Sequence, residues 1–441
     1  MMAIHSRLTR TAAIVAVGAM SAFGLAACSS GTTGDASKPA GDEAVTVEYM
    51  HRLPDGEGMT AVADTVARWN EENPNIQVKT TKFDGHAQDM VLKLETDIKA
   101  GNAPCLAQVG YGEVPQLFVK GMLEDVATEA AKYKANYSGG AYAGMQVGEA
   151  VVGLPQDTGP LVYFYNEAEF EKLGLKVPAT IADLTADAAK ATEAGKFTTA
   201  FSADEAQNWL TSQTAAAGDT WFSTVGDEWK VDTTGAGSER VAALWQGLLD
   251  DKQTLVAERW GEGFSKAITD GTLIGHIGAG WEAGFLLDSL DGTDAEGQWR
   301  VAQLPDFGAG ELTGPNGGSG VAVLKGCENQ EQAMAFNDWF NTQIDDLGSQ
   351  GLVVAATTGV PKTSEKMLRQ FGGQDVLGEL ATATENLNAD FVYAPGFATL
   401  GKMNETAAAA ATGKAKVIDI FTTAETTMVT ALTDLGLPVA K

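Results

Sequence analysis

From Val45 the chain alternates apolar and polar side chains through Val45-Thr46-Val47-Glu48-Tyr49-Met50, the period of two that turns one strand face toward a core. The period then changes. Met59, Val62, Val66 and Trp69 recur at spacings of three and four, one stripe of a helix, and Asn73-Pro74 stops it because a residue before proline disfavours the helical conformation. A second strand over 76–80, a helix with Val91, Leu94 and Ile98 on one face, and a third strand over 106–109 complete the order β-α-β-α-β. That order predicts a parallel or mixed sheet with helices on its faces.

A short helix is expected to start at the loop Tyr111-Gly112-Glu113 and to end near Gly121. The stretch 153–166 reads as two short strands joined by a polar segment punctuated by glycine and proline, a path from one domain into another. Further strands are expected over 273–277, 301–304 and 321–324, the last two around a Gly/Pro loop at 308–320. A helix over 330–341 places Ala333, Phe336 and Phe340 on one face, and the C-terminal part is helical over 407–411 and 417–435. The sequence contains no internal repeat.

The N-terminus follows another rule. Arg7 and Arg10 precede an apolar run over 12–25, shorter than the ~20 residues a membrane-spanning helix needs, so it reads as a secretory signal. Leu25-Ala26-Ala27-Cys28 resembles a bacterial lipobox. The resemblance implies that residues 1–27 are removed and that Cys28, lipidated on its thiol, becomes the first residue. The alternative is an ordinary signal peptide with an incidental cysteine. Residues 28–43, rich in Ser, Gly, Thr and Pro, read as a flexible tether.

About 410 residues remain after the signal, more than one core usually covers, so two domains are expected. Removing Arg7 and Arg10 leaves 28 basic against 58 acidic residues, a net charge near −30. Such a surface repels nucleic acid and acidic lipid headgroups. With Cys28 assigned to the anchor, Cys105 and Cys327 read as a disulfide in an oxidising compartment, or as two buried free thiols.

Catalytic motifs are missing: there is no Gly-x-Ser-x-Gly elbow, no phosphate-binding loop and no His-Glu-x-x-His. The four histidines have no metal-ligand spacing, and Asp288, Asp291 and Asp294 lack a calcium-loop pattern. No metal or cofactor is expected. A glycoside hydrolase would have to draw its carboxylate pair from residues such as Glu113, Asp157 and Glu282.

Trp69-Asn70-Glu71-Glu72-Asn73-Pro74, Ile98-Lys99-Ala100-Gly101-Asn102-Ala103-Pro104, Leu154-Pro155-Gln156-Asp157-Thr158-Gly159-Pro160 with Phe164-Tyr165-Asn166, and Gly278-Ala279-Gly280-Trp281 occur in an order that spans nearly the whole mature chain. As an ordered set they resemble the sugar-binding group of solute-binding proteins of bacterial ABC importers, which includes maltodextrin-binding protein. The resemblance implies an α/β, two-lobed periplasmic-binding-protein-like fold with a ligand cleft between the lobes and three interlobe crossings, near 155–157, 304–307 and 359–361. Lobe 1 would comprise 44–155 and 308–359, and lobe 2 would comprise 156–307 and 360–441. Cys105 and Cys327 would then share a lobe. The implied function is a monomeric, non-enzymatic protein, lipid-anchored on the outer face of the cell membrane, that captures an oligosaccharide and delivers it to an ABC permease. A polyol, a peptide or another small solute is the alternative ligand.

A neutral sugar offers hydroxyls and apolar C–H faces, so its site needs aromatic platforms with carboxylates and amides beside them. Trp69, Trp245 and Trp339 lie on apolar helical stripes and are assigned to cores, whereas Trp209, Trp221, Trp260 and Trp281 lie among polar residues and glycines. Trp281 aligns with a sugar-stacking tryptophan of the resembling family, and Trp209, with Asn208 beside it, and Trp221 are further candidates. Loops beyond the C-terminal ends of strands add His51, Asp84, Tyr111 and Glu113, and the first crossing adds Asp157. Two glycine-bearing loops, 317–319 and 393–397, contribute Gly318 and Phe397.

Overall fold

The computed structural model describes residues 44–56, 59–85, 87–359 and 361–440. The signal, the Cys28 anchor site, the tether and Val360 of the third expected crossing lie outside the described residues. The alternation that opens the domain becomes strand β1 (Val45–His51), flanked by β2 (Ile76–Lys82) and β3 (Leu106–Gly110), both parallel to it. Helices Val62–Glu72 and Ala87–Ala100 make the crossovers. Trp69 does what its stripe requires: its ring meets Phe336 edge-on at 5.5 Å, and its indole N–H donates to the carbonyl of Ile76 at 2.9 Å.

The largest departure from the sequence reading is at 153–166. The expected pair of short strands is one continuous 14-residue strand, β4 (Gly153–Asn166), buried along nearly all its length. With β5 (Gly275–Ala279), β6 (Trp299–Gln303), β7 (Pro315–Val323) and β8 (Val353–Val354), it builds an eight-stranded sheet that carries both lobes. The first half of β4 pairs with β7 and β8, and the second half pairs antiparallel with β5 and β6. Pro155 and Pro160 looked like strand breakers because proline has no N–H for a ladder. Each faces β7 beside a register shift, Pro155 opposite Gly320 and Pro160 opposite Pro315, so the irregularities absorb the missing donors.

Two lobes follow from where the apolar residues collect. One core draws on residues from Val47 to Leu154 and from Val321 to Ala356. The other lobe holds two clusters, one around Trp209, Trp245, Phe307 and Phe421, the other around Phe164, Phe264, Trp299 and Phe371. The chain passes between lobes within β4 and within β7, and changes lobe once more between Ala356 of the lobe 1 core and Met367 of a lobe 2 cluster. The second passage falls later than expected. Asp306 accepts the backbone N–H groups of Gly308, Ala309 and Gly310, which folds the glycine-rich loop, and the next residues stay on lobe 2, where Gly314 accepts from Leu161 N–H at 3.1 Å.

Cys105, just before β3, and Cys327, in the turn after β7, form a disulfide with their Cα atoms 4.7 Å apart. Both sulfur-bearing residues pack against the lobe 1 core, so the bond spans 222 positions of sequence without bridging the lobes.

Candidate functional site

A cleft of about 710 Å³ opens where β4 and β7 pass between the lobes. Its lining includes Tyr111, Glu113, Asp157, Asn208, Trp281, Gly318 and Phe397, seven of the residues singled out from sequence. The loop after β3 supplies Tyr111 and Glu113. The Tyr111 hydroxyl donates to the backbone carbonyl of Asp157 at 2.9 Å, tying that loop to the crossing strand. Glu113 accepts from Gly110 N–H at 2.8 Å and stands 3.5 Å from the Arg52 guanidinium.

Asp157 ends a chain of hydrogen bonds. Arg52 N–H donates to Gln108 Oε1 at 2.7 Å, Gln108 Nε2 donates to Ser319 Oγ at 3.1 Å, and the Ser319 hydroxyl donates to Asp157 Oδ1. Burial pushes the Asp157 carboxyl up to about 6, against the hydrogen bond from Ser319 and the more distant charge of Arg52. Burial also raises Glu113, opposed by Arg52 beside it, and raises Glu205, opposed by Arg259.

Lobe 2 brings aromatic surface. Trp281, at the end of β5, donates its indole N–H to the Asn316 carbonyl at 3.0 Å and meets Phe285 edge-on at 5.5 Å. Tyr393 and Phe397 pack edge to face at 4.9 Å, and Gln207 Nε2 holds the Phe397 carbonyl at 3.1 Å. Two glycines let these rings close in. Gly318 has φ +91°, and a Cβ there would sit 2.8 Å from the Tyr111 ring, while a Cβ on Gly112 would sit 3.1 Å from Phe397 and 3.3 Å from Tyr393.

Four expected site residues lie elsewhere. Trp209 is fully buried against Trp245 at 4.6 Å and donates to the Ile277 carbonyl at 3.1 Å. Its polar neighbours misled the reading because Thr211 and Ser212 spend their hydroxyls on carbonyls one turn back, so the helix Ala206–Ala216 is buried nearly all round. Trp221 is likewise interior, with its N–H on Ser238 Oγ at 3.0 Å and its ring 5.6 Å from Phe421. His51 shares the β1 face of Val47 and Tyr49, so the alternation carries it into the core, where burial lowers its imidazole to about 4. Asp84 is exposed, 3.7 Å from Lys82. Trp260, also placed among possible platforms, is absent from the cleft lining and donates its N–H to Glu282. Glu282 is fully buried and engaged there rather than facing another carboxylate across the cleft.

Arg52, Gln108, Glu205 and Asn316 line the cleft but were not anticipated. Gln108 carried a signal, being the one polar side chain in the buried strand Leu106–Gly110. Arg52 shared the strand-end position that singled out His51, whereas Glu205, in the one-turn 3-10 helix Ala203–Glu205, carried no signal because no periodicity fixes its direction.

Two lobes joined by shared strands, with a mixed polar and aromatic cleft at the crossing, define a solute-capturing protein of the two-lobed kind. The chain belongs to the bacterial extracellular solute-binding proteins, whose family pattern matches residues 64–347. It is 51% identical to the galacto-N-biose-/lacto-N-biose I-binding protein of an ABC transporter from Bifidobacterium longum, solved in complex with lacto-N-biose. The match covers 90% of this chain and 99% of that one, with a TM-score of 0.87. A binding protein from B. animalis subsp. lactis Bl-04 in complex with beta-1,6-galactobiose shares the fold at 24% identity, 90% and 99% coverage and a TM-score of 0.74. The sugar-binding protein MalE of Xanthomonas citri does so at 16% identity, 88% and 98% coverage and 0.68. No curated protein sequence matches the chain.

Proposed function

We propose that this chain captures a neutral disaccharide or short oligosaccharide of the lacto-N-biose type in its interlobe cleft. It delivers the ligand, without turnover, to an ABC permease. The observation that carries this reading is the cleft itself, which Trp281 lines together with Glu113, Asp157 and Asn208, within a chain 51% identical to a lacto-N-biose-binding protein. Trp281 serves as the stacking platform. Asp157 accepts from sugar hydroxyls, Glu113, Asn208 and the Gly318 backbone supply further polar contacts, and Tyr111 and Phe397 close the apolar edges. The protein is a monomer tethered to the outer face of the membrane through lipidated Cys28.

Calorimetric titration tests the ligand. Lacto-N-biose is expected to bind far more tightly than sorbitol or a tripeptide, and tight tripeptide binding with none of the sugar sinks the reading. Solution scattering is expected to show compaction at saturating sugar, as contacts from both lobes favour the closed state. For the anchor, Cys28→Ala is expected to release the protein from membranes into the medium.

A further inference from the structure

Glu282 directly follows the proposed platform and opens the helix Glu282–Leu290. Its side chain is 0% exposed, yet four groups converge on it. The Arg259 guanidinium donates to Oε1, and Ala279 N–H donates to the same oxygen at 2.5 Å. The Trp260 indole N–H donates to Oε2 at 2.9 Å, and His276 Nε2 lies 3.6 Å from that oxygen. Arg259 is almost as deeply buried, at 4% exposure.

Stability is a poor reason for such a pair. Two buried charges lose hydration that their mutual attraction only partly returns, and apolar residues of similar size often serve as well or better. What the pair does supply is geometry. Donors from three directions on one carboxylate define the turn 279–282, and that turn sets the point and angle at which Trp281 leaves the backbone. The pyrrole side of the ring has a separate anchor, its N–H bond to Asn316. Arg259 also reaches a second part of the wall. Its backbone N–H is held by both carboxylate oxygens of Asp204 at 3.1 Å, one residue before Glu205 of the cleft lining.

We propose that Glu282 and Arg259 are positioning residues, a buried pair that holds the Trp281 indole at the angle at which its face meets a sugar. This rests on the reading of the cleft as a sugar site.

The probe is lacto-N-biose, and the variants are Trp281→Phe, Glu282→Gln and the doubly neutral Arg259→Met/Glu282→Met. Glu282→Gln is expected to raise Kd about tenfold, ~1.4 kcal/mol, and the Met/Met variant to do the same with a melting temperature near that of the wild type. The near-ultraviolet circular dichroism contributed by Trp281, read as wild type minus Trp281→Phe, is expected to collapse when Glu282→Gln is added to both members of the comparison. A purely structural pair would leave that difference spectrum intact. Unchanged Kd in the folded variants, a persistent Trp281 signal, or failure of both variants to fold overturns the proposal, the last because the pair would then hold the lobe and not the platform. A Trp281→Phe variant that binds the sugar as well as wild type overturns the platform reading instead, which is a separate outcome.

Discussion

The lobe 1 wall of the cleft presents Arg52, Gln108, Glu113 and Ser319, and the lobe 2 wall presents Trp281, Phe285, Tyr393 and Phe397. On the first wall the polar groups are already bonded to one another, in the relay from Arg52 N–H through Gln108 and Ser319 to Asp157 on the crossing strand. On the second, the rings are braced by their neighbours while Phe285 stays 47% exposed. A sugar ring has hydroxyls around its rim and C–H bonds on its faces; on the proposed sugar reading, the polar groups of the first wall suit the rim and the rings of the second suit the faces, with Tyr111 and Asn208 crossing that division. On that reading, area drives affinity on the aromatic side. On the polar side the groups are fixed in advance, so little ordering is left for the moment of binding.

The sharpest contrast lies inside lobe 2, between the wall and what stands behind it. Trp209→Ala empties a fully buried site and is expected to cost about 4 kcal/mol of stability in chemical denaturation, with little change in the sugar affinity of whatever remains folded. Trp281→Ala is expected to do the reverse, with a melting temperature near the wild type and a loss of about 2–3 kcal/mol, some 30- to 150-fold in Kd, by calorimetry. If Trp209→Ala instead weakens binding in a protein that melts normally, the boundary between core and wall has been drawn in the wrong place.

Those two tryptophans also show how far the chain could be read in advance. The opening β-α-β-α-β order and the Trp69 stripe were legible because strand and helix periods register burial directly. Trp209 was illegible because its helix is buried on almost every side, which removes the amphipathic stripe, and because its threonine and serine neighbours satisfy themselves within the helix. β4 was misread because two prolines normally end a strand, and the register shifts in β7 that accommodate them have no signature in 153–166. Trp281 could be picked out through resemblance, while Arg52 past the end of β1 and Glu205 in its one-turn 3-10 helix take directions that only the fold determines. His51 was a missed inference, since Val47 and Tyr49 already pointed that face of β1 inward.

Asp157 gives the polar wall a pH signature. Its folded-state value of about 6 stands above the ordinary 3.8, so the folded protein binds a proton more readily than the unfolded chain. The contribution of this group is therefore most favourable at low pH and is lost as pH rises through about 6. Stability is expected to be about 1 kcal/mol greater at pH 5 than at pH 7 on this account, and Asp157→Asn to abolish that difference. Sugar affinity should move the other way, weakening as pH falls through 6, because the protonated carboxyl is a poorer acceptor of hydroxyl protons. Stability and affinity that rise together on acidification would remove Asp157 from the set of ligand acceptors.

The smallest effect asks whether the polar wall is as pre-arranged as its bonds imply. Glu113 and Arg52 stand 3.5 Å apart, and each side chain keeps 17% exposure, so their attraction is partly screened and worth about 0.5–1 kcal/mol. Glu113→Gln removes the charge but keeps an oxygen for Gly110 N–H, so the start of the following helix should hold its geometry. Calorimetry is then expected to find a two- to fourfold change in Kd, about the worth of one such pair. A loss beyond tenfold would mean that the Glu113 contact to the sugar needs its full charge, more than the pair with Arg52 accounts for. The lobe 1 wall would then owe its affinity to contacts made on binding, and the division of labour between the two walls would have to be redrawn around Glu113.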